Sequence, residues 1–548
     1  EQNKDWRGTI TRTKINPDGT LDEGDVDNWS AAENIPDPGS RKIWTVLKNN
    51  VVEYKDTLNN FHENNSGEIK NLMELTLNTV GDYHRATNNA DGSTNNKRCA
   101  SKVSSIADDN DDDVKGLINF IRGEDYFDYD GDCILDEQRK KDGKKAYMSD
   151  IYHSELIVVG QPKANMAYIT ENQEAYWRSL KNYESFKKSK ETRDTVIYAG
   201  SNSGILHAID AKTGKEKWGF ISPLLLPQLP KMVNANLNKE SPDEGGSTAI
   251  FGLDGSAVAH DMYFQSPHDT SKKWHTVLFI PYGRGGAGFT ALDVTNPNKP
   301  LHLYSLLNDF IGNIVHHMDY AGTYNHYPYI SLQYGIEDFN ESVRAVDNYD
   351  NDDSISSTCK TDSDFATNGD TSCFKGSTWT MPVDDVKKSD IEVTIDGCIL
   401  GDSKFSITGS TSPKITFHGK TLQFSADPGD TIESSDVGIR VKNTGNKITG
   451  VQGDKDYDYS ALGETWSAPR VIRLPLSTGD VYAAVMGGGS GVQNQGIGSN
   501  VHVINLEDNG KLIKRIDIQD IVPKKSGSSS CNDLDNNIVN SVPGSPVV

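Results

Sequence analysis

Along residues 196–223, VIYAGSNSGILHAIDAKTGKEKWGFISP, hydrophobic and polar positions fall into three short β-prone runs parted by two turns. VIYAG is a continuous apolar run, and SNSG at 201–204 supplies turn chemistry. ILHAID then sets Ile205, His207 and Ile209 against Leu206, Ala208 and Asp210, the period of a strand. Thr213-Gly214 closes a second turn before EKWGFI. One antiparallel sheet of this kind cannot bury both of its faces, so the pattern predicts copies of the unit packed beside it.

Two weaker copies follow. LFIPYGRGGAGFTALDVTNP at 278–297 has an apolar strand, a glycine turn, a second strand and a closing turn. YAAVMGGGSG at 482–491, an insert, and NVHVINLEDNGKL at 500–512 repeat that order. Short β segments precede these units: HSELIVVG at 153, GSAVAHDM at 255, WSAPRVIRL at 466 and GSPVV at 544. Small β units repeated at long, irregular spacing predict a β-propeller in which each unit is a blade. The fold class expected is mainly β, a modified propeller, whose blade repeat also resembles that of quinoproteins.

Two stretches lack the blade pattern. Residues 1–145 read as a mixed α/β lead-in: RKIWTVLKNNVVEYKDTL as a strand followed by a strand or turn, and EIKNLMELTL and DDDVKGLINFIRG as helices. In the latter Val114, Leu117, Ile118 and Ile121 share one face, and acidic residues lie at the amino end, where the helix dipole favours them. Residues 336–462 begin with acidic low-complexity segments and continue as short alternating strands, a small β module inserted between blades. The expected organisation is therefore lead-in at 1–145, first blades at 146–335, inserted module at 336–462 and later blades at 463–548.

With 78 acidic against 55 basic residues, the net charge of -23 argues against nucleic acid or an anionic membrane surface as the main partner. No apolar run is long enough to span a bilayer. The chain opens on Glu1 without a signal peptide and stops within what reads as the first strand of another blade, so it is expected to be part of a longer polypeptide. Six cysteines, none in a C-x-x-C pair, fit an oxidising compartment. Cys359 and Cys373 bracket a polar loop and are the expected local disulfide, with Cys99–Cys133 and Cys398–Cys531 left by elimination.

The sharpest chemical feature is DYDGDCILDE at 128–137. Asp128, Asp130, Asp132 and Asp136 occupy positions 1, 3, 5 and 9 of an EF-hand-like loop, with the Ile134 carbonyl at position 7. Alternating carboxylates on a tight turn aim hard oxygens at one centre, as calcium requires. Two departures stand out: Cys133 replaces the usual glycine, and Arg139 sits where the bidentate glutamate belongs, so Glu137 is the substitute ligand. A solvated acidic turn is the alternative.

Other features point away from catalysis. Gly283, Gly285 and Gly288 spell G-x-G-x-x-G, but an alternating strand follows rather than a helix, so they are expected to form a tight turn inside a blade. His153 and His207 fall in strand-like segments and read as structural, while the adjacent His316 and His317 would face opposite sides of a strand. No metalloprotease or nucleophile-elbow motif occurs.

The blade motifs also carry a resemblance. NSGILHAIDAKTGKEKW, GRGGAGFTALDVTNP and MSDIYHSELIVVGQP resemble, in order, stretches of the PilC/PilY family of type IV pilus-associated proteins. Ser149 and Leu156 replace that family's usual Gly and Pro; GETWSAPRVIRL and GSPVV fit its later blade openings, and INFIRGED resembles the segment ahead of its propeller. The resemblance implies a non-enzymatic, calcium-dependent adhesin at the pilus tip or outer surface of a Gram-negative-type bacterium. It also implies association with minor pilins, a surface or host-cell receptor, and a part in pilus biogenesis and retraction. The family's calcium site, in a propeller loop, is not placed on these residues. The same repeat resembles that of quinoprotein dehydrogenases carrying pyrroloquinoline quinone, which makes such an enzyme the alternative; a structural filament or surface-layer subunit is a third reading.

Overall fold

The structure, a computed structural model, describes residues 7–48, 53–73, 110–124, 138–141, 143–232, 250–312, 314–328, 333–335, 378–380, 387–388, 391–395, 398–399, 405–411, 413–417, 437–441, 455–477, 479–491, 497–517 and 542–546. Its frame is three antiparallel meanders. The first joins β2 (Ile157–Val159), β3 (Val196–Gly200), β4 (Ile205–Asp210) and β5 (Glu216–Ile221), with β1 (Ile43–Trp44) from the lead-in added parallel to β5. The second runs in simple order through β6 (Val258–Phe264), β7 (Lys273–Pro281), β8 (Gly288–Asp293), β9 (Leu301–Asp309), β10 (Ile314–Asp319) and β11 (Tyr324–Pro328). The third comprises β12 (Arg470–Leu476), β13 (Gly479–Gly487), β14 (Asn500–Asn505) and β15 (Leu512–Asp517). Mainly β blades of propeller type, a mixed α/β lead-in and an inserted β module are therefore all present.

Burial explains why the blade strands read as they do. Successive side chains of a strand point to opposite faces, and here both faces are covered. Along β7, Val277 and Phe279 join the core shared with the third blade, whereas Leu278 and Ile280 join the core shared with the first. In β4, Leu206 and Ala208 face the second blade, while Ile205 packs against the lead-in beside Phe61, Leu117 and Ile118. The predicted face Val114, Leu117, Ile118 and Ile121 of the helix Asn110–Arg122 is buried in that same core.

A continuous line of backbone contacts zips the blades together where opening segments meet glycine turns. Asn202 N donates to Asp150 O at 3.0 Å, Leu253 N to Ser201 O at 3.0 Å, and Asp254 N to Tyr282 O at 3.0 Å. Bridges then pair Gly283 with Thr465, Glu464 with Ser490 and Gly489 with Val542. The approach is close enough to require glycine: a Cβ on Gly285 would stand 1.5 Å from the Gly252 carbonyl oxygen. G-x-G-x-x-G is thus the turn between β7 and β8, followed by a strand as expected.

The structure adds elements not expected from the sequence. Between β2 and β3 stand two helices, α1 (Gln173–Leu180) and α2 (Tyr183–Ser189), the first capped by Asn172, whose Oδ1 accepts from Glu174 N and Ala175 N at 3.0 Å. They bridge blades: Tyr183 and Phe186 pack on Trp274 of the second, and Arg473 of the third pairs with Glu174 at 3.0 Å. In the inserted module Gln333–Gly335, Val437–Val441, Ile391–Ile395 and Cys398–Ile399 form one sheet, and Thr378–Thr380, Lys414–Phe417 and Phe405–Thr408 another. Gln333–Gly335, which the sequence places with the blades, pairs with this module. The proposed partners Cys99, Cys133, Cys359, Cys373 and Cys531 lie outside the described residues.

Candidate functional site

The calcium-type loop also lies outside the described residues: Asp128, Asp130, Asp132, Ile134, Asp136 and Glu137 are all beyond them. Its flanks are described. Arg139 N donates to Gly123 O at 2.7 Å, closing the chain on itself across the loop. Arg139 is buried, its Nη1 donating to Phe120 O and its Nε to Ala146 O, each at 2.9 Å. The residue standing where an EF-hand has its glutamate is thus a helix C-terminal cap. Among the described residues no three His, Cys, Asp or Glu side chains converge in a way that would hold a metal.

A second constellation has the order of a catalytic triad. Ser201 Oγ lies 3.1 Å from His207 Nε2, and His207 Nδ1 donates to Glu216 Oε1 at 2.7 Å. Beyond it, Arg41 Nε and Nη2 fork onto the two Glu216 oxygens at 2.8 and 2.9 Å. All four side chains are buried, and Ser201 Oγ also bonds the Ile205 carbonyl at 3.0 Å. Burial pushes the Glu216 carboxyl up, but Arg41 and His207 outweigh it and hold its pKa down at about 2. A nucleophile needs an approach path for its substrate, and this serine has none; the relay is a buried tie between lead-in and first blade. His207 is structural, as the sequence implied.

The accessible cluster lies where three blade openings meet. His153 is not on a strand but in the segment ahead of β2, half exposed. Its Nδ1 donates to Asp254 Oδ2 at 2.7 Å and its backbone N to Asp254 Oδ1 at 3.0 Å, so a buried carboxylate fixes the ring from two sides. Trp466 stands edge-on to that ring with centroids 4.7 Å apart, and Tyr152, 64% exposed, packs on it at 4.1 Å. The Arg284 guanidinium lies 3.8 Å from the Phe251 ring centroid and 5.9 Å from that of Trp466. Aromatic and arginine side chains held rigid at a surface are the composition of protein-contact hot spots. Trp466 and Arg284 belong to the blade motifs; that they converge with Tyr152 and Phe251 depends on the blade junctions and has no signal along the chain.

Comparison with known proteins agrees with this architecture. Residues 148–325 match the family described as the PilY1 beta-propeller domain. The type IV pilus biogenesis factor PilY1 homolog of Xylella fastidiosa strain Temecula1 is 32% identical over 171 residues, covering 31% of this chain and 12% of that protein. Type IV pilus biogenesis factor PilY1 of Pseudomonas aeruginosa strain UCBPP-PA14 is 33% identical over 195 residues, covering 35% of this chain and 14% of that protein. The chain therefore spans only 12% and 14% of the length of these curated relatives. The crystal structure of the Pseudomonas aeruginosa PilY1 C-terminal domain aligns over 64% of each chain at 15% identity, with a TM-score of 0.20. MSDIYHSELIVVGQP, NSGILHAIDAKTGKEKW and GRGGAGFTALDVTNP all lie in the matched stretch, and the resemblance to the PilC/PilY family holds.

Proposed function

We propose that this chain serves type IV pilus biogenesis as a non-enzymatic, calcium-binding component at the cell surface or pilus tip, contacting minor pilins and supporting adhesion. The observation that carries the reading is the match of residues 148–325 to the PilY1 beta-propeller domain, whose motifs coincide with the blade junctions. The surface of Tyr152, His153, Phe251, Arg284 and Trp466 supports a role in protein contact, because it offers rigid aromatic anchors at little entropic cost. Burial of the Ser201–His207–Glu216 relay favours a scaffold over a hydrolase. No helix among the described residues is long and apolar enough to cross a membrane.

Calcium enters through the donor set at 128–137, all oxygen, in a loop whose flanks are joined by the Arg139–Gly123 hydrogen bond. When bound, the cation would offset the negative charge that Asp128, Asp130, Asp132, Asp136 and Glu137 bring to this part of the chain.

The test pairs a minor-pilin pull-down with genetics in the bacterium that makes the chain. Removing residues 148–325 is expected to abolish surface piliation and surface attachment, and Trp466→Ala with Arg284→Ala to weaken pilin capture at a temperature well below the variant's own melting transition. Normal piliation and attachment after the deletion sink the proposal. Turnover of an alcohol with added pyrroloquinoline quinone and a dye acceptor would move the assignment to the quinoprotein reading.

A further inference from the structure

His316 in β10 and His326 in β11 are direct cross-strand partners in the antiparallel register. Their side chains share a face of the sheet, and the two Nδ1 atoms stand 3.1 Å apart. Tyr324, two residues before His326 and so on the same face, places its hydroxyl 3.0 Å from His316 Nδ1. On the far side of the His316 ring, Nε2 lies 3.7 Å from Asp309 Oδ2. The His316 side chain is 16% exposed and His326 is exposed, so the pair lies at the surface of the sheet. His317 takes no part: it points to the opposite face, where its Nε2 donates to Asn509 O at 3.0 Å.

We propose that His316 and His326 form a surface site for a borderline divalent transition metal such as Zn²⁺ or Ni²⁺. Two imidazole nitrogens bound to one tetrahedral Zn²⁺ lie about 3.3 Å apart, given bonds of about 2.0–2.1 Å. The observed separation is close to that bite before any cation is present. The sheet supplies it through strand pairing, so binding requires little rearrangement of the backbone. Asp309 stands on the side where metal-ligating histidines commonly have a carboxylate, facing at 3.7 Å the ring nitrogen that does not bind metal, close enough to draw in and hydrogen-bond that N–H once the ring is ligated. Tyr324 Oη is within reach as a third donor, and water completes the coordination. Imidazole selects zinc, copper and nickel over calcium, so this site is chemically separate from the acidic loop at 128–137 and does not depend on the pilus reading.

The test is calorimetric titration of Zn²⁺ into the full 548-residue chain with excess Ca²⁺ present to fill hard-oxygen sites. Wild type is compared with His316→Ala, His326→Ala, His326→Gln, Asp309→Asn and, as a control elsewhere, His153→Ala. Each change at His316 or His326 is expected to remove one Zn²⁺ equivalent, and Asp309→Asn to weaken that equivalent about tenfold or more. His153→Ala is expected to bind as wild type. The exposed His326→Gln variant, checked for an unchanged melting temperature, separates lost ligation from lost folding. Retention of wild-type stoichiometry and affinity by both His326 variants overturns the proposal, as does a wild-type chain with no saturable Zn²⁺ uptake.

Discussion

Arg41 in the lead-in and Glu216 in the first blade form a two-point ion pair with both side chains fully buried, Nε to Oε2 at 2.8 Å and Nη2 to Oε1 at 2.9 Å. Arg122, at the end of the helix Asn110–Arg122, is interlocked with it: Arg41 Nη1 donates to Arg122 O at 2.7 Å and Arg122 Nη2 to Arg41 O at 2.8 Å. Burial, and then the neighbouring Arg41 charge, lowers the Arg122 pKa to about 10. Glu216 is thus the anion bonded directly to Arg41, while Arg122 is held by the carbonyls of Pro38, Arg41 and Phe61 and by Asn59.

Removing that anion is expected to be costly. Breaking a buried pair leaves a charge without compensation, worth about 3–5 kcal/mol. Glu216→Ala should lower denaturant stability by that order, and Arg41→Met likewise, because each strands the other partner. A double substitution, Arg41→Met with Glu216→Leu, should recover part of the loss, the remainder reflecting the His207 Nδ1–H and the Arg122 carbonyl left without these buried partners. Urea unfolding of the four proteins checks this, and single variants within about 0.5 kcal/mol of wild type would show that the pair is not the tie.

Acid stability follows from the same group and two histidines. Burial, with His317 nearby, lowers the His302 pKa from 6.5 to about 3, and burial, with Arg515 nearby, lowers that of His502 from 6.5 to about 3. Below pH 6.5 the unfolded chain therefore takes up these protons while the folded chain does not. Stability is present in full above that value and falls as the pH drops toward 3. Glu216 adds its own loss between 4.5 and about 2. Neither His502 nitrogen has a hydrogen-bond partner among the described residues, and its ring stacks on Tyr459 at 5.5 Å. His502→Phe should then keep the stack and flatten the pH dependence, with its advantage over wild type growing from pH 7 to pH 4. Melting curves that fall in parallel would refute this.

The sequence was legible where one residue type answers one local demand. Alternation in ILHAID and the apolar β7 run gave strands because both faces of a blade are covered, and the glycines of the turns gave junctions because neighbouring backbones leave no room for a Cβ. The helices α1 and α2 are not legible: few of their side chains are buried, Ala175, Tyr183 and Phe186 among them, and Trp274, on which Tyr183 and Phe186 pack, lies far along the chain. The Arg41–Glu216 tie and the His316–His326 pair have no signal along the chain for the same reason. The first comes from docking β1 on β5, with Arg41 two residues ahead of β1, and the second from the ladder register, which pairs His316 with His326 across the sheet rather than with its sequence neighbour His317.

The junction glycines give a sharp contrast. A Cβ on Gly285 would stand 1.5 Å from Gly252 O, and one on Gly489, at φ +84°, would stand 1.8 Å from Glu464 O. Alanine at either must push two backbones apart, which should cost about 1–3 kcal/mol. Gly67, inside the helix Ser66–Leu72, has nothing within 4 Å of its would-be Cβ, so Gly67→Ala should stabilise by about 0.5–1 kcal/mol. Chemical denaturation of the three variants reads both signs, and equal effects would mean that blade junctions do not limit stability.

The acidic loop makes the remaining prediction, and its flanks say why the effect should be large. With Arg139 N bonded to Gly123 O at 2.7 Å and the Arg139 guanidinium capping the helix at Phe120 O, the chain already returns to its starting point. Bringing the ends of the 125–137 segment together therefore falls to the protein rather than to the cation. A cation bound only by the folded chain stabilises it by mass action, about 2.7 kcal/mol at a concentration one hundred times the dissociation constant. Calcium should accordingly raise the melting temperature of wild type, and Asp130→Ala with Asp132→Ala, which removes donors at positions 3 and 5, should abolish the rise while leaving the calcium-free melt unchanged. Arg139→Ala should act differently, lowering the melt with and without calcium because it uncaps the helix. If wild type and the double aspartate variant melt alike at every calcium concentration, the carboxylates form a solvated turn, and any calcium dependence of the chain must arise elsewhere.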